Sequence, residues 1–253
     1  MTKMKISPTI VFLLFIPFFL LAQTNNNDSA YQKPVDKTLQ TIGIAVPAIM
    51  VTYGAISLGS DNLRKLDVSI RDKLLINNAF WHKNWDDYLQ FSPAAVAFGM
   101  KLWGVKSTHK TPNMLIIYAL GNVLNAGIVQ STKYIVARER PDGSNKYSFP
   151  SGHTSTAFVA AEFLHQEYKD QSVWISVGGY TMASLIGVAR IYNNKHWLSD
   201  VVAGAGIGIL SMKLAYWTYP YLCKFFDGKN KTQLSLFPAY HKGTLGLNFY
   251  YNF

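Results

Sequence analysis

The chain has 253 residues, 49% of them hydrophobic and 15% charged, which is enough for one substantial core and excludes a disordered protein. Its formal charge is +10, yet no clustered run of Lys or Arg with interleaved aromatics accompanies it. That argues against nucleic acid and leaves an anionic membrane surface or an anionic substrate as the partner.

The chain opens with two lysines and an apolar run from Ile10 to Ala22, the layout of a secretory signal peptide over residues 1–22. Cleavage after Ala22 is expected, although Leu20 is larger than the small residue usual two positions earlier, so an uncleaved anchor is the alternative. Setting Lys3 and Lys5 aside leaves 22 Lys and Arg against 14 acids, a net of +8. Residues 23–40 read as a lead-in. Cys223 is the only cysteine, so an exported product has no internal disulfide and is held by packing.

Six apolar stretches follow: 42–58, 93–105, 113–129, 154–163, 173–189 and 201–217. Most mix Gly, Ala and Ser with large apolar residues, which lets helices approach closely. The expected fold is therefore all-α, a six-helix bundle over residues 41–225. An amphipathic piece at 63–80 lies between the first two stretches and is expected on a surface. The tail, 226–253, alternates Leu245, Leu247, Phe249, Tyr251 and Phe253 after a turn near 241–243, the pattern of a short β-hairpin packed on the bundle.

Three short runs carry chemistry. In "KYIVARERP" Lys133 and Arg140 stand six residues apart, counted between them. In "FPSGHTSTAF" a helix is expected to open on Ser151, Gly152 and His153, where free N–H groups and the positive end of the dipole suit a phosphate. In "ARIYNNKHWLSD" Arg190 precedes His196 and Asp200. If the segment from Lys195 onward is helical, His196 and Asp200 share a face, and Asp200 accepts a hydrogen bond from one ring nitrogen and frees the other to attack. Lys133, Arg140 and Arg190 each sit near the end of an apolar helix, placed to converge on a phosphate dianion and its transition state. Singly, each residue reads more readily as a cap or a solvated cation. Their joint occurrence does not.

These runs resemble the signature of the type 2 phosphatidic acid phosphatases and their relatives, the class A acid phosphatases and vanadium haloperoxidases. Lys133, Arg140 and Pro141 match its first part, Pro150, Ser151, Gly152 and His153 its second, and Arg190, His196 and Asp200 its third. Ala189 departs from the Ser that many members carry there. The resemblance is detailed over roughly residues 113–215.

The resemblance implies a metal-free, cofactor-free phosphatase acting on a phosphomonoester or diphosphate. His196 would be the nucleophile that forms a phosphohistidine, Asp200 its orienter and His153 the proton donor. Lys133, Arg140, Ser151, Gly152 and Arg190 would bind the phosphoryl oxygens. A membrane lipid is the expected substrate: phosphatidic acid, undecaprenyl diphosphate, phosphatidylglycerol phosphate or lipid A. A soluble periplasmic acid phosphatase and a vanadate-dependent haloperoxidase are the alternatives. The expected location is the bacterial cell envelope, at the membrane, with the site facing the periplasm. If the leader exports the N-terminus and the stretches at 42, 93 and 113 all cross, however, Lys133 falls on the cytoplasmic side. An outward site then requires that one early segment does not cross or that the domain sits whole in the periplasm.

Overall fold

The structure, a computed structural model, describes residues 37–75, 85–226, 233–241 and 244–252. The expected leader and most of the lead-in lie outside the described residues. The helices are α1 (Lys37–Ser57), α2 (Asp61–Leu75), α3 (Trp85–Leu89), α4 (Ser92–Leu102), α5 (Thr111–Val136), α6 (Gly152–Tyr168), α7 (Val173–Tyr192) and α8 (Leu198–Phe226). Strands β1 (Gln233–His241) and β2 (Thr244–Asn252) pair antiparallel, with His241 opposite Thr244 and Gln233 opposite Asn252.

The expected count of six helices is corrected to eight among the described residues. Each apolar stretch became one helix: α1, α4, α5, α6, α7 and α8. The amphipathic piece adds α2, with Asp61 in its first turn and Lys73 in its last, charges matched to the helix dipole. It turns away from α1 by 100°. The five-residue α3 is the other addition, and "WDDYL" is too short and too polar to register as an apolar stretch.

Helix α8 is central, packing against α1, α5, α6 and α7. Its glycines make that possible. A Cβ on Gly204 would stand 2.6 Å from the Ser151 carbonyl oxygen, and one on Gly208 would stand 2.3 Å from that of Ser155, so α6 rides directly on the backbone of α8. A Cβ on Gly206 would meet the Pro47 carbonyl of α1 at 2.5 Å.

One core joins Met114 and Ile117 of α5, Phe163 and Tyr168 of α6 and Met212 of α8, with Ala97 of α4. The Tyr168 hydroxyl donates to the Ala97 carbonyl at 2.8 Å. A second core gathers Phe158 and Ala161 of α6, Ala183 and Ile186 of α7 and Ala205 and Ile209 of α8. Two carboxylates lie buried on α6, both paired. Glu162 accepts from Lys213 at 2.8 Å and from Tyr180, while Glu167 accepts from Tyr216 at 2.6 Å and contacts the His109 ring at 2.8 Å.

Among the described residues two helices are long and apolar enough to cross a membrane, over Thr111–Val136 and Leu198–Phe225, and the bent α1–α2 pair passes the same test as a third. Exposed aromatics include Trp85, Tyr88 and Tyr134 toward the end that carries the three motifs, and Trp103 and Trp174 toward the other. Trp and Tyr favour such membrane–water boundaries.

Candidate active site

The C-terminal ends of α5 and α7 and the N-terminal ends of α6 and α8 meet at one end of the bundle. The backbone of Ser151 links two of these, its N–H donating to the Asp200 carbonyl at 3.0 Å. Ser151 is the N-cap of α6 and is fully buried, its hydroxyl 2.9 Å from Thr154 Oγ1. Gly152 has no side chain to stand beside Lys133, whose Cε would lie 3.9 Å from a Cβ there.

Lys133, in the last turn of α5, donates to the Tyr147 carbonyl at 2.6 Å. Arg140 lies in the loop beyond, and its Nε is buried without a hydrogen-bond partner. Arg190, in the last turn of α7, is buried, and its guanidinium donates from Nη1 to Asp86 while its Nε is also unpartnered. Arg140 feels the charge of Arg190 and of Asp200. The three predicted cations thus do gather, with unmet donor capacity at two of them.

His196 is almost fully buried, two residues before α8 begins. The expected side-by-side placement on a helix is corrected, because the helix starts at Leu198 and Asp200 folds back over its own first turn. The carboxylate accepts from the Trp197 N–H at 3.0 Å, from Arg138 at 2.7 Å and from the Ser148 hydroxyl. Those three donors hold it 3.6 Å from Nδ1 of His196, within ion-pair range but beyond a hydrogen bond, and Nδ1 has no other partner. Burial pushes the His196 ring down to about 4, with Asp200 opposing and Arg190 and Lys133 assisting. The ring is therefore neutral, with a nonbonded pair on one nitrogen, at any pH above about 5.

His153, in the first turn of α6, places Nε2 2.6 Å from Asp87 Oδ1. Burial and then Arg190 hold its pKa below the usual imidazole value, against the pull of Asp87 and Asp86. Asp86 is held below the usual carboxylate range because Arg190 outweighs the cost of burial.

Five side chains in this assembly were missed from sequence: Arg138, Ser148, Asp67, Asp86 and Asp87. Arg138 joins the whole. It donates to Asp200 at 2.7 Å, to Ser199 Oγ at 2.8 Å and to Asp67 of α2 at 2.8 Å, and its guanidinium carbon lies 5.5 Å from the Trp197 ring centre. Asp67 is fully buried and also accepts from the backbone N–H and the hydroxyl of Ser199, at 2.9 and 2.6 Å. The acidic partners come from segments far away in sequence, and spacing carries no signal for them. Only the "RER" run around Arg138 offered a hint.

Chemically, the end of the bundle offers a buried neutral imidazole backed by a carboxylate, a second imidazole backed by another, and three cations. A family model described as PAP2 superfamily matches residues 114–224. Over 186 residues the chain is 40% identical to the Lipid A 1-phosphatase of Porphyromonas gingivalis, covering 73% of this chain and 39% of that protein. The chain thus spans well under half the length of that relative. It is 27% identical over 200 residues to the Phosphatidylglycerophosphatase B of Bacillus subtilis, covering 73% of this chain and 91% of the other. Its fold is similar to the crystal structure of a transmembrane PAP2 type phosphatidylglycerolphosphate phosphatase from Bacillus subtilis, at a TM-score of 0.52 and 20% identity over 71% of this chain and 96% of that one. Residues 114–224 thus match the PAP2 superfamily, and all three motifs fall within them.

Proposed function

We propose that this protein is a metal-independent phosphatase that removes phosphate from a membrane lipid through a phosphohistidine on His196. The observation that carries this reading is the buried, neutral His196 ring, 3.6 Å from the Asp200 carboxylate and under the field of Arg190 and Lys133. Nδ1 faces Asp200, which leaves Nε2 to attack. In the first step Nε2 bonds to phosphorus as the bond from phosphorus to the leaving oxygen breaks, and the proton of His153 passes to that oxygen. In the second, water gives a proton to His153 while its oxygen bonds to phosphorus and the P–N bond breaks, releasing inorganic phosphate. Lys133, Arg140, Arg190, Ser151 and the Gly152 amide hold the phosphoryl oxygens, a dense positive setting for a reaction with a very high uncatalysed barrier.

The spanning-length helices and the relatives' names support a lipid, with lipid A and phosphatidylglycerol phosphate favoured over phosphatidic acid and undecaprenyl diphosphate. We place the site on the periplasmic face of the membrane, as in lipid-acting members of the family.

The test is phosphate release by purified protein in chelator, from these four lipids in mixed micelles and from a soluble aryl phosphate, with His196→Ala as the blank. Release from a lipid together with an acid-labile label on His196 is expected. Loss of release in chelator that a divalent ion restores, or a label trapped on His153 or a serine, would overturn the mechanism.

A further inference from the structure

Outside the family domain, α3 places two adjacent acids on the candidate site: Asp86 on Arg190 and Asp87 on His153. They do different things. Asp86 is buried and neutralises a cation, whereas Asp87 is exposed at its outer side and touches a ring that must hold and release a proton.

We infer that Asp87 is a positioning residue for His153, and that through this pair the enzyme is suited to phosphate esters with alkyl or glycosyl leaving oxygens, which cannot depart unprotonated. The inference rests on the phosphatase reading above. The carboxylate accepts from Nε2–H at 2.6 Å, which fixes the ring and leaves Nδ1 as the nitrogen that exchanges its proton with the leaving oxygen and then with water. His196 has the opposite arrangement, with Nδ1 toward its acid. The site thus holds two imidazole–carboxylate pairs of opposite tautomer, one for attack and one for protonation.

The charges around His153 show why it needs this partner. Burial and the charge of Arg190 of α7 both disfavour the imidazolium. Asp86 is already engaged by Arg190. Asp87 is the acid in direct contact with the ring, and it supplies the counter-charge that keeps a proton there. In the first step the electrons of the P–O bond leave with the oxygen. An alkoxide takes them with difficulty and draws the His153 proton, while an aryl oxide departs largely without it, so the worth of the proton depends on the leaving group.

The test compares an alkyl and an aryl phosphate carrying the same hydrocarbon chain in the same mixed micelles, read as the single-turnover rate of leaving-group release. In Asp87→Asn, release of the alkyl group is expected to slow by about 10- to 100-fold and release of the aryl group by less than about 3-fold, the former no more than the low end of a general acid's usual worth because His153 itself stays in place. Asp87→Glu restores most of the alkyl rate. In a His153→Asn background, Asp87→Asn adds nothing further to the alkyl loss. Equal loss on both esters, no loss on either, or additive loss in the His153→Asn background would overturn the inference. Wild-type protein that releases neither group, or His196→Ala that releases both at the wild-type rate, would instead overturn the phosphatase reading beneath it.

Discussion

Asp67 and Asp200 are bridged by one guanidinium, with Arg138 donating to the first at 2.8 Å and to the second at 2.7 Å. A residue of the amphipathic helix α2 thereby sets the position of the acid behind the candidate nucleophile. Asp67 is fully buried and serves Ser199 twice as well, so its removal leaves a buried cation and a buried N–H short of partners. Asp67→Ala is expected to cost about 3 kcal/mol of stability, the usual range for breaking a buried pair. It should also lower kcat at least tenfold with a smaller change in KM. Denaturation in detergent and steady-state kinetics check both, and an unchanged kcat in folded protein would show that Arg138 holds Asp200 unaided.

The two histidines predict an acidic optimum. His196 must be neutral to attack, and its pKa of about 4, lowered chiefly by burial, keeps it neutral as the pH falls, so the acid limb of kcat/KM lies near pH 4. His153 must be protonated to donate, and burial with Arg190 lowers it too, so the alkaline limb falls below the ordinary imidazole value of about 6.5. A pH–rate profile with its maximum above pH 7 would contradict these assignments.

Gly204 and Gly208 set the distance between α8 and α6. Because the opposing atoms are the backbone carbonyls of Ser151 and Ser155, an added methyl cannot be accommodated by a rotamer change. Gly208→Ala is expected to destabilise the protein by about 1–3 kcal/mol, the range for overpacking. Gly204→Ala displaces Ser151 directly and should abolish activity while the protein still purifies as a folded species. Gly178→Ala, at a position with nothing within 4 Å of the new carbon, is the control that should change neither property.

The Glu162–Lys213 pair joins α6 to α8, with Glu162 fully buried, Lys213 half-buried and Tyr180 as a further donor. Lys213→Met leaves the carboxylate without its counter-charge and should lower the unfolding temperature markedly, whereas Glu162→Gln combined with Lys213→Met should recover most of the loss. A double variant no better than the single one would show that the two side chains stabilise the bundle independently.

Much of this site was legible in the residues themselves. Lys133, Arg140, Ser151, Gly152, His153, Arg190, His196 and Asp200 come together at one end of the bundle, as their motifs imply. The apolar stretches also became helices, because a run of large and small apolar residues has one cheap way to satisfy its backbone away from water. What could not be read is tertiary. His196 and Asp200 are four apart, and helical spacing suggested a direct hydrogen bond. Asp200 is instead saturated by Arg138, Ser148 and Trp197, two of them drawn from the loop after α5. α3 is five residues of polar and aromatic side chains, and nothing in its local pattern says that its two acids face a cation and an imidazole.

Asp67, Asp86 and Asp87 have one thing in common: all three precede residue 114, where the family pattern begins, and each closes on a basic side chain after it. The candidate site is a basic cluster clasped by three acids of the preceding N-terminal arm, an intramolecular complex joined by charge. The family motifs alone therefore describe half of a site, the half that attracts phosphate. The arm provides the balance that lets so many like charges stand together before any phosphate arrives. Members of the family that share every motif can differ in that arm, and their electrostatics can diverge where an alignment of the motifs shows no change.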